Sequence, residues 1–201
     1  MKKTVIMKRW FAAVLLLLMT AACGVHDTEY DWEGKAAEAK HYVDQLMTDF
    51  RDGTINTNIC PPVMWEHIPY LLEYASSTTL VGKATTDVHA TTIPSCPYTS
   101  FLMTQCLEGT FALWMVEAAR IHTLYGENLS EKDYPFGWPS MNPFLQSTGK
   151  NGGEPEWHVN DVTVQKIAQS AYERWWSAGQ GLRIGKVAPI DPLAKTRYSW
   201  H

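Results

Sequence analysis

Residues 105–125, QCLEGTFALWMVEAARIHTLY, constrain the fold more than any other stretch. Leu107, Phe111, Trp114, Ala118, Ile121 and Tyr125 recur at steps of three or four, the spacing that lines one face of an α-helix, and Gly126 stops the run. A helix that carries side chains of this size must be covered by other apolar faces. The rest of the chain therefore has to supply them.

Two further segments offer such faces. Residues 35–51 place Ala36, Ala39, Val43, Leu46, Met47 and Phe50 at helical spacing, with Asp52-Gly53 as the stop. Residues 161–178 place Val164, Ile167, Ala171, Tyr172 and Trp175 on one face, behind Asn160 as an expected N-cap and ahead of Gly179 and Gly181. A shorter helix is expected from Ile68 to Ala75. Pro61-Pro62 cannot lie inside it, and Pro69 fits its first turn, where a missing N–H costs nothing. Residues 76–100 and 126–159 read as long loops, and 184–201 as an extended tail. No alternating run of any length competes with these helices. The expectation is an all-α chain with one compact helical domain over 35–201.

The N-terminus, MKKTVIMKRWFAAVLLLLMTAACG, has the order of a secretory signal: positive charge, a short apolar core, then small residues. The core from Trp10 to Met19 is shorter than the roughly 20 apolar residues of a spanning helix. Ending at Cys23, the segment resembles a bacterial lipoprotein signal, although Thr20 stands where that signal usually has Leu. This divides the chain into a signal peptide over 1–22, an acidic tether over 23–34 and the domain over 35–201. Cys23 is the lipidation site, and the expected location is the cell envelope at the outer membrane, on either face. The tether's Asp27, Glu29, Asp31 and Glu33 also resemble the short acidic export tags of surface lipoproteins. Cleavage removes Lys2, Lys3, Lys8 and Arg9, so 17 basic residues fall to 13 against 21 acidic, and a net charge of −4 becomes −8. That balance disfavours nucleic acid, which needs a basic patch.

An oxidising compartment makes a disulfide the default use of Cys60, Cys96 and Cys106. Cys96–Cys106 is the expected pair, because it closes a short loop ahead of the central helix. No Cys-x-x-Cys or His-Glu-x-x-His spacing points to a metal, and no cofactor is implied. Glu117 and Arg120, at i and i+3, are expected to form a structural ion pair; a carboxylate aimed into a pocket is the functional alternative. Tyr134, Phe136 and Trp138 in the long loop, with the adjacent Trp175 and Trp176, are the candidate binding surface, since exposed aromatic rings mark interfaces and sugar platforms.

Several segments together resemble a family of small lipoproteins from Bacteroides-like bacteria: HIPYLLEYA (67–75), TTIPSCPYTS (91–100), CLEGTFALWMVEAAR (106–120), YPFGWPSMNPFL (134–145) and the YSWH ending. Leu113-Trp114, Glu117 and Arg120 match that family's Leu-Trp-x-x-Glu-x-x-Arg helix, and Pro139-Ser140 with Asn142-Pro143 match its Pro-Ser-x-Asn-Pro loop. Cys96 departs from the family, which has Asn at that point of a Phe-Pro-x-Asn-Pro loop. The resemblance covers most of 60–201 and implies no activity. Its Ile-Pro-x-Leu-Leu rhythm also resembles HEAT and armadillo helices, which implies helix-on-helix packing and a binding role. The functional expectation is a membrane-tethered, non-enzymatic module for a protein, peptide or glycan. The alternatives are an envelope hydrolase using Glu117 or a His, and an immunity or inhibitor lipoprotein.

Overall fold

A computed structural model of the chain describes residues 32–55, 60–82, 105–126, 138–140, 143–147 and 155–200. The chain divides into a unit of Met1–Gly34 and a unit of Lys35–His201, and the second holds the core. In chain order the elements are α1 (Trp32–Asp52), a 3-10 turn (Trp65–His67), α2 (Ile68–Tyr74), β1 (Leu80–Val81), β2 (Cys106–Leu107), α3 (Glu108–Tyr125), β3 (Leu145–Ser147), β4 (Glu156–His158), α4 (Val162–Gly179), α5 (Ile184–Val187) and β5 (Tyr198–Trp200).

Helix α3 is the centre. Every residue from Glu108 to Ile121 is buried, as suits a helix that is apolar on nearly all sides. Phe111 stacks on Phe50 of α1 with ring centroids 3.6 Å apart, and Trp114 stacks on Trp138 at 4.4 Å. The Trp114 indole also donates to Ser140 Oγ at 2.8 Å, which gives the polar edge of a buried Trp its partner. Helix α4 covers another side with Val164, Ala168, Ala171, Tyr172 and Trp175, the spacing of an amphipathic helix. Its N-cap is Asp161, whose carboxylate accepts from Thr163 N and Val164 N. Asn160, the residue expected in that role, instead takes a positive φ of 56° in the preceding turn.

Among the described residues, two antiparallel sheets correct the all-α expectation, and the HEAT- or armadillo-like packing with it. Strands β1 and β2 pair Leu80 with Leu107 and Val81 with Cys106. A second sheet has the order β4-β3-β5, with Leu145 opposite both His158 and Trp200. The chain is a mixed α/β structure. The reason is length: strands of two or three residues contain too few positions to show an alternating pattern. Their partners also lie far along the chain, as β3 and β5 do. The tail is likewise more than extended chain, because it forms α5 and supplies β5.

Close approach requires glycine at position 109, where the neighbouring atoms include backbone. Gly109 N donates to Ser77 O, and the Gln165 side chain donates to Ala75 O and Ser77 O across the same spot. A Cβ at Gly109 would overlap Gln165 Nε2 and the Ala75 carbonyl oxygen. Gly109→Ala is expected to destabilise the protein by about 1–3 kcal/mol, the usual range for overpacking. An unchanged urea midpoint would contradict a close-packed junction at this position.

Candidate functional site

The polar groups that stand out in the sequence are inside. Glu117 is 6% and Arg120 9% exposed. Arg120 grips Glu117 with two nitrogens, Nη2 to Oε1 at 2.6 Å and Nε to Oε2 at 2.9 Å, and gives Nη1 to Ala188 O at 2.8 Å. The Tyr172 hydroxyl donates to Glu117 Oε2 and accepts from the Trp200 indole, both at 2.8 Å. Burial, reinforced by the adjacent Glu117 carboxylate, pushes the Tyr172 hydroxyl well above its ordinary pKa of 10, so it stays protonated and able to donate. Burial works against the Arg120 charge, yet the bond to Glu117 outweighs it and holds the guanidinium above its usual range. Each Glu117 oxygen already has a donor. The pair ties α3, α4, the end of α5 and β5 together and presents no free carboxylate.

A second constellation carries no signal in the sequence. Ser147 Oγ lies 2.8 Å from His158 Nε2, and His158 Nδ1 lies 3.7 Å from Asp161 Oδ2. These are the residue types of a hydrolytic triad. Ser147, however, is 4% exposed and shares the inward sheet face with Leu145 and Tyr198, while Gln146, Trp157 and Ser199 take the outer face. Asp161 also spends its other oxygen on the α4 N-terminus.

The aromatic candidates separate. Trp138 is 1% exposed and stacked on Trp114, so it belongs to the core and not to a binding surface. Trp175 is buried, with its indole donating to Val187 O at 3.2 Å. Trp176 is half-buried against Trp65, ring centroids 5.5 Å apart. Tyr134 and Phe136 lie outside the described residues. Of the expected Cys96–Cys106 pair only one half is described: Cys106 is a free thiol, buried at 1% exposure on β2, and Cys96 lies outside the described residues. Cys60 is a second free, buried thiol. Among the described residues, no group of three or more His, Cys, Asp or Glu side chains comes together as a metal site.

What does open to solvent is a groove between the C-terminal half of α4 and the chain that returns after it. It holds a cavity of about 330 Å³. Trp175, Val187 and Pro192 form its buried wall, Leu182 and Ile190 its exposed wall, and Arg174 and Lys195 stand at its edge. Leu182 is 58% and Ile190 53% exposed, large values for side chains of this type.

The family model for a domain of unknown function, DUF4943, matches residues 34–201. The chain belongs to the DUF4943 family. Neither the curated proteins nor the solved structures contain a match. The matched span includes both the Glu117–Arg120 pair and the groove of this DUF4943 domain.

The buried groups lend themselves to two measurements. Arg120→Met is expected to cost about 3–5 kcal/mol, because it strands a buried carboxylate, and the double variant Arg120→Met/Glu117→Leu to cost less than that single change. Equal or additive losses in urea unfolding would contradict the pairing. The thiols give a pH test. Burial pushes Cys106 up to about 12 from an ordinary 9.0, and Cys60 is raised by the same cause. The folded state therefore keeps both protons where an unfolded chain gives them up. Stability should be full below about pH 9 and decline above it, by up to about 1.4 kcal/mol per pH unit for each thiol. Unfolding in reductant at successive pH values measures the slope, and Cys106→Ala should roughly halve it.

Proposed function

We propose that this DUF4943 domain is a non-enzymatic binding module of the cell envelope, held to the outer membrane by a lipid on Cys23. Its ligand site is the groove between α4 and the returning chain. One contrast carries the reading: the groove is open and apolar, while Glu117 is enclosed with both oxygens bonded. Small-molecule sites are mostly apolar clefts with a few polar groups at fixed places, and the groove fits that description. The signal-like N-terminus and the Leu113-Trp114, Glu117 and Arg120 motif support membership among the small lipoproteins of Bacteroides-like bacteria. The aromatic loop is not the favoured site, since Trp138 is core.

A hydrolase is the second reading, and the Ser147–His158 contact at 2.8 Å favours it. The inward aim of Ser147 and the capping role of Asp161 weigh against it. A fluorophosphonate probe that labels Ser147 in the folded protein would reverse the order of the two readings.

Native mass spectrometry of the protein purified from its envelope tests the module directly. The expected mature mass begins at Cys23 with acyl groups attached and carries a noncovalent ligand. Ala178→Phe, which fills the groove from an exposed position, should remove that ligand and leave the acyl mass. A ligand retained in Ala178→Phe, or none in either protein, counts against the groove.

A further inference from the structure

We infer that the groove binds a free amphipathic anion: an apolar tail against Trp175 and Val187, and a carboxylate or phosphate head held by Arg174 and Lys195. The inference rests on the binding-module reading and names the ligand class for its site.

Charge supports this first. Residues 161–200 carry six basic side chains (Lys166, Arg174, Arg183, Lys186, Lys195 and Arg197) against three acids, Asp161, Glu173 and Asp191, within a chain whose net charge is −4. The sequence that builds the groove is thus basic in an otherwise acidic protein. Arg174 and Lys195 sit at the cavity itself, both exposed, and neither has an ion pair or hydrogen bond among the described residues. Asp191, the one acid on the wall, is already engaged: its Oδ1 accepts from Leu193 N at 2.8 Å, and its field acts on Arg120. With two cations against one carboxylate, the lining keeps a net positive charge for an anion from outside.

The cavity's own surface supports it independently. Besides the two cations the walls are Trp175, Leu182, Val187, Ile190 and Pro192, with the small Ala171 and Ala178 of α4. At about 330 Å³ the cavity is near the small end of ligand sites, which run from about 300 to 1,000 Å³. That suits one acyl chain or one ring system. A fully polar anion would leave the apolar walls wet. A neutral hydrocarbon would leave the cations unused. A tail with a charged head satisfies both parts. The same chemistry exists in free fatty acids and in membrane lipids, and a cavity of about 330 Å³ favours the free monomer.

Titration calorimetry of the full chain carrying Cys23→Ser tests this, with hexanoate, octanoate and decanoate below their micelle concentrations. Saturable one-to-one binding is expected, strengthening by about fourfold per methylene until the cavity fills. Decanol should bind at least tenfold more weakly than decanoate. Arg174→Glu/Lys195→Glu should weaken decanoate at least tenfold with an unchanged melting temperature, because both side chains are exposed, and Ala178→Phe should abolish it. Equal affinities for decanol and decanoate, or a double variant that binds as the parent does, would overturn the anion assignment. So would sedimentation with phosphatidylglycerol vesicles in the absence of any saturable binding of free decanoate. If native mass spectrometry shows a groove ligand but the carboxylates do not bind, the ligand class is wrong and the binding module stands. If neither appears, both fall.

Discussion

The bidentate contact between Arg120 and Glu117 is the constraint on which the other contacts of this domain are arranged. Two charges taken this far out of water are costly unless nearly every lone pair and proton finds a partner. Here the partners come from four places: Glu117 and Arg120 from α3, the Tyr172 hydroxyl from α4, the Ala188 carbonyl from the end of α5, and the Trp200 indole from β5 through Tyr172. The satisfied network exists only if α4 lies in one register on α3 and the C-terminal strand returns to one place. A shifted register would leave a buried charge alone, which is strongly destabilising.

The groove is a consequence of that arrangement. Arg120 and the Trp175 indole both bond the chain at 187–188, through Ala188 O and Val187 O. This holds the start of the returning segment against α4. The segment then turns away through Ile190 and Asp191 and comes back as β5. It meets α4 again where the Trp200 indole donates to the Tyr172 hydroxyl, and the space between is the cavity. The polar network and the open apolar surface are thus two outcomes of the same docking, with the charges sealed inside and Leu182 and Ile190 left facing solvent.

How much of this is legible in the sequence depends on range. The long helices are readable because their signal is local: Phe111, Trp114 and Ala118 repeat within one turn or two, and Val43, Met47 and Phe50 do the same. The Glu117–Arg120 spacing is readable for the same reason. The short strands are not, since a three-residue strand such as Leu145–Ser147 becomes a strand only when Glu156–His158 and Tyr198–Trp200 pair with it. Trp138 is hidden in a similar way. A Trp in a Pro-rich loop reads as exposed, and only its stacking on Trp114 makes it core. Spacing places Cys106 ahead of the central helix but says nothing about its burial on β2, which packing decides. The groove leaves two local traces, the basic bias of residues 161–200 and the bulky apolar Leu182, Ile184 and Ile190 interleaved with Arg183 and Lys186.

Sequence by itself determined the helical segments, the apolar all-round character of α3, the signal-like N-terminus and the local pairing of Glu117 with Arg120. These follow from spacing, and spacing is a property of neighbours in the chain. Only the tertiary structure decided that the protein is a mixed α/β chain, that Trp138 and Cys106 face inward, that Tyr172 and Trp200 complete the ion pair, and that Arg174 and Lys195 share the lining of an apolar groove. Each of these depends on residues tens of positions apart meeting in one geometry, and no periodicity along the chain encodes such a meeting.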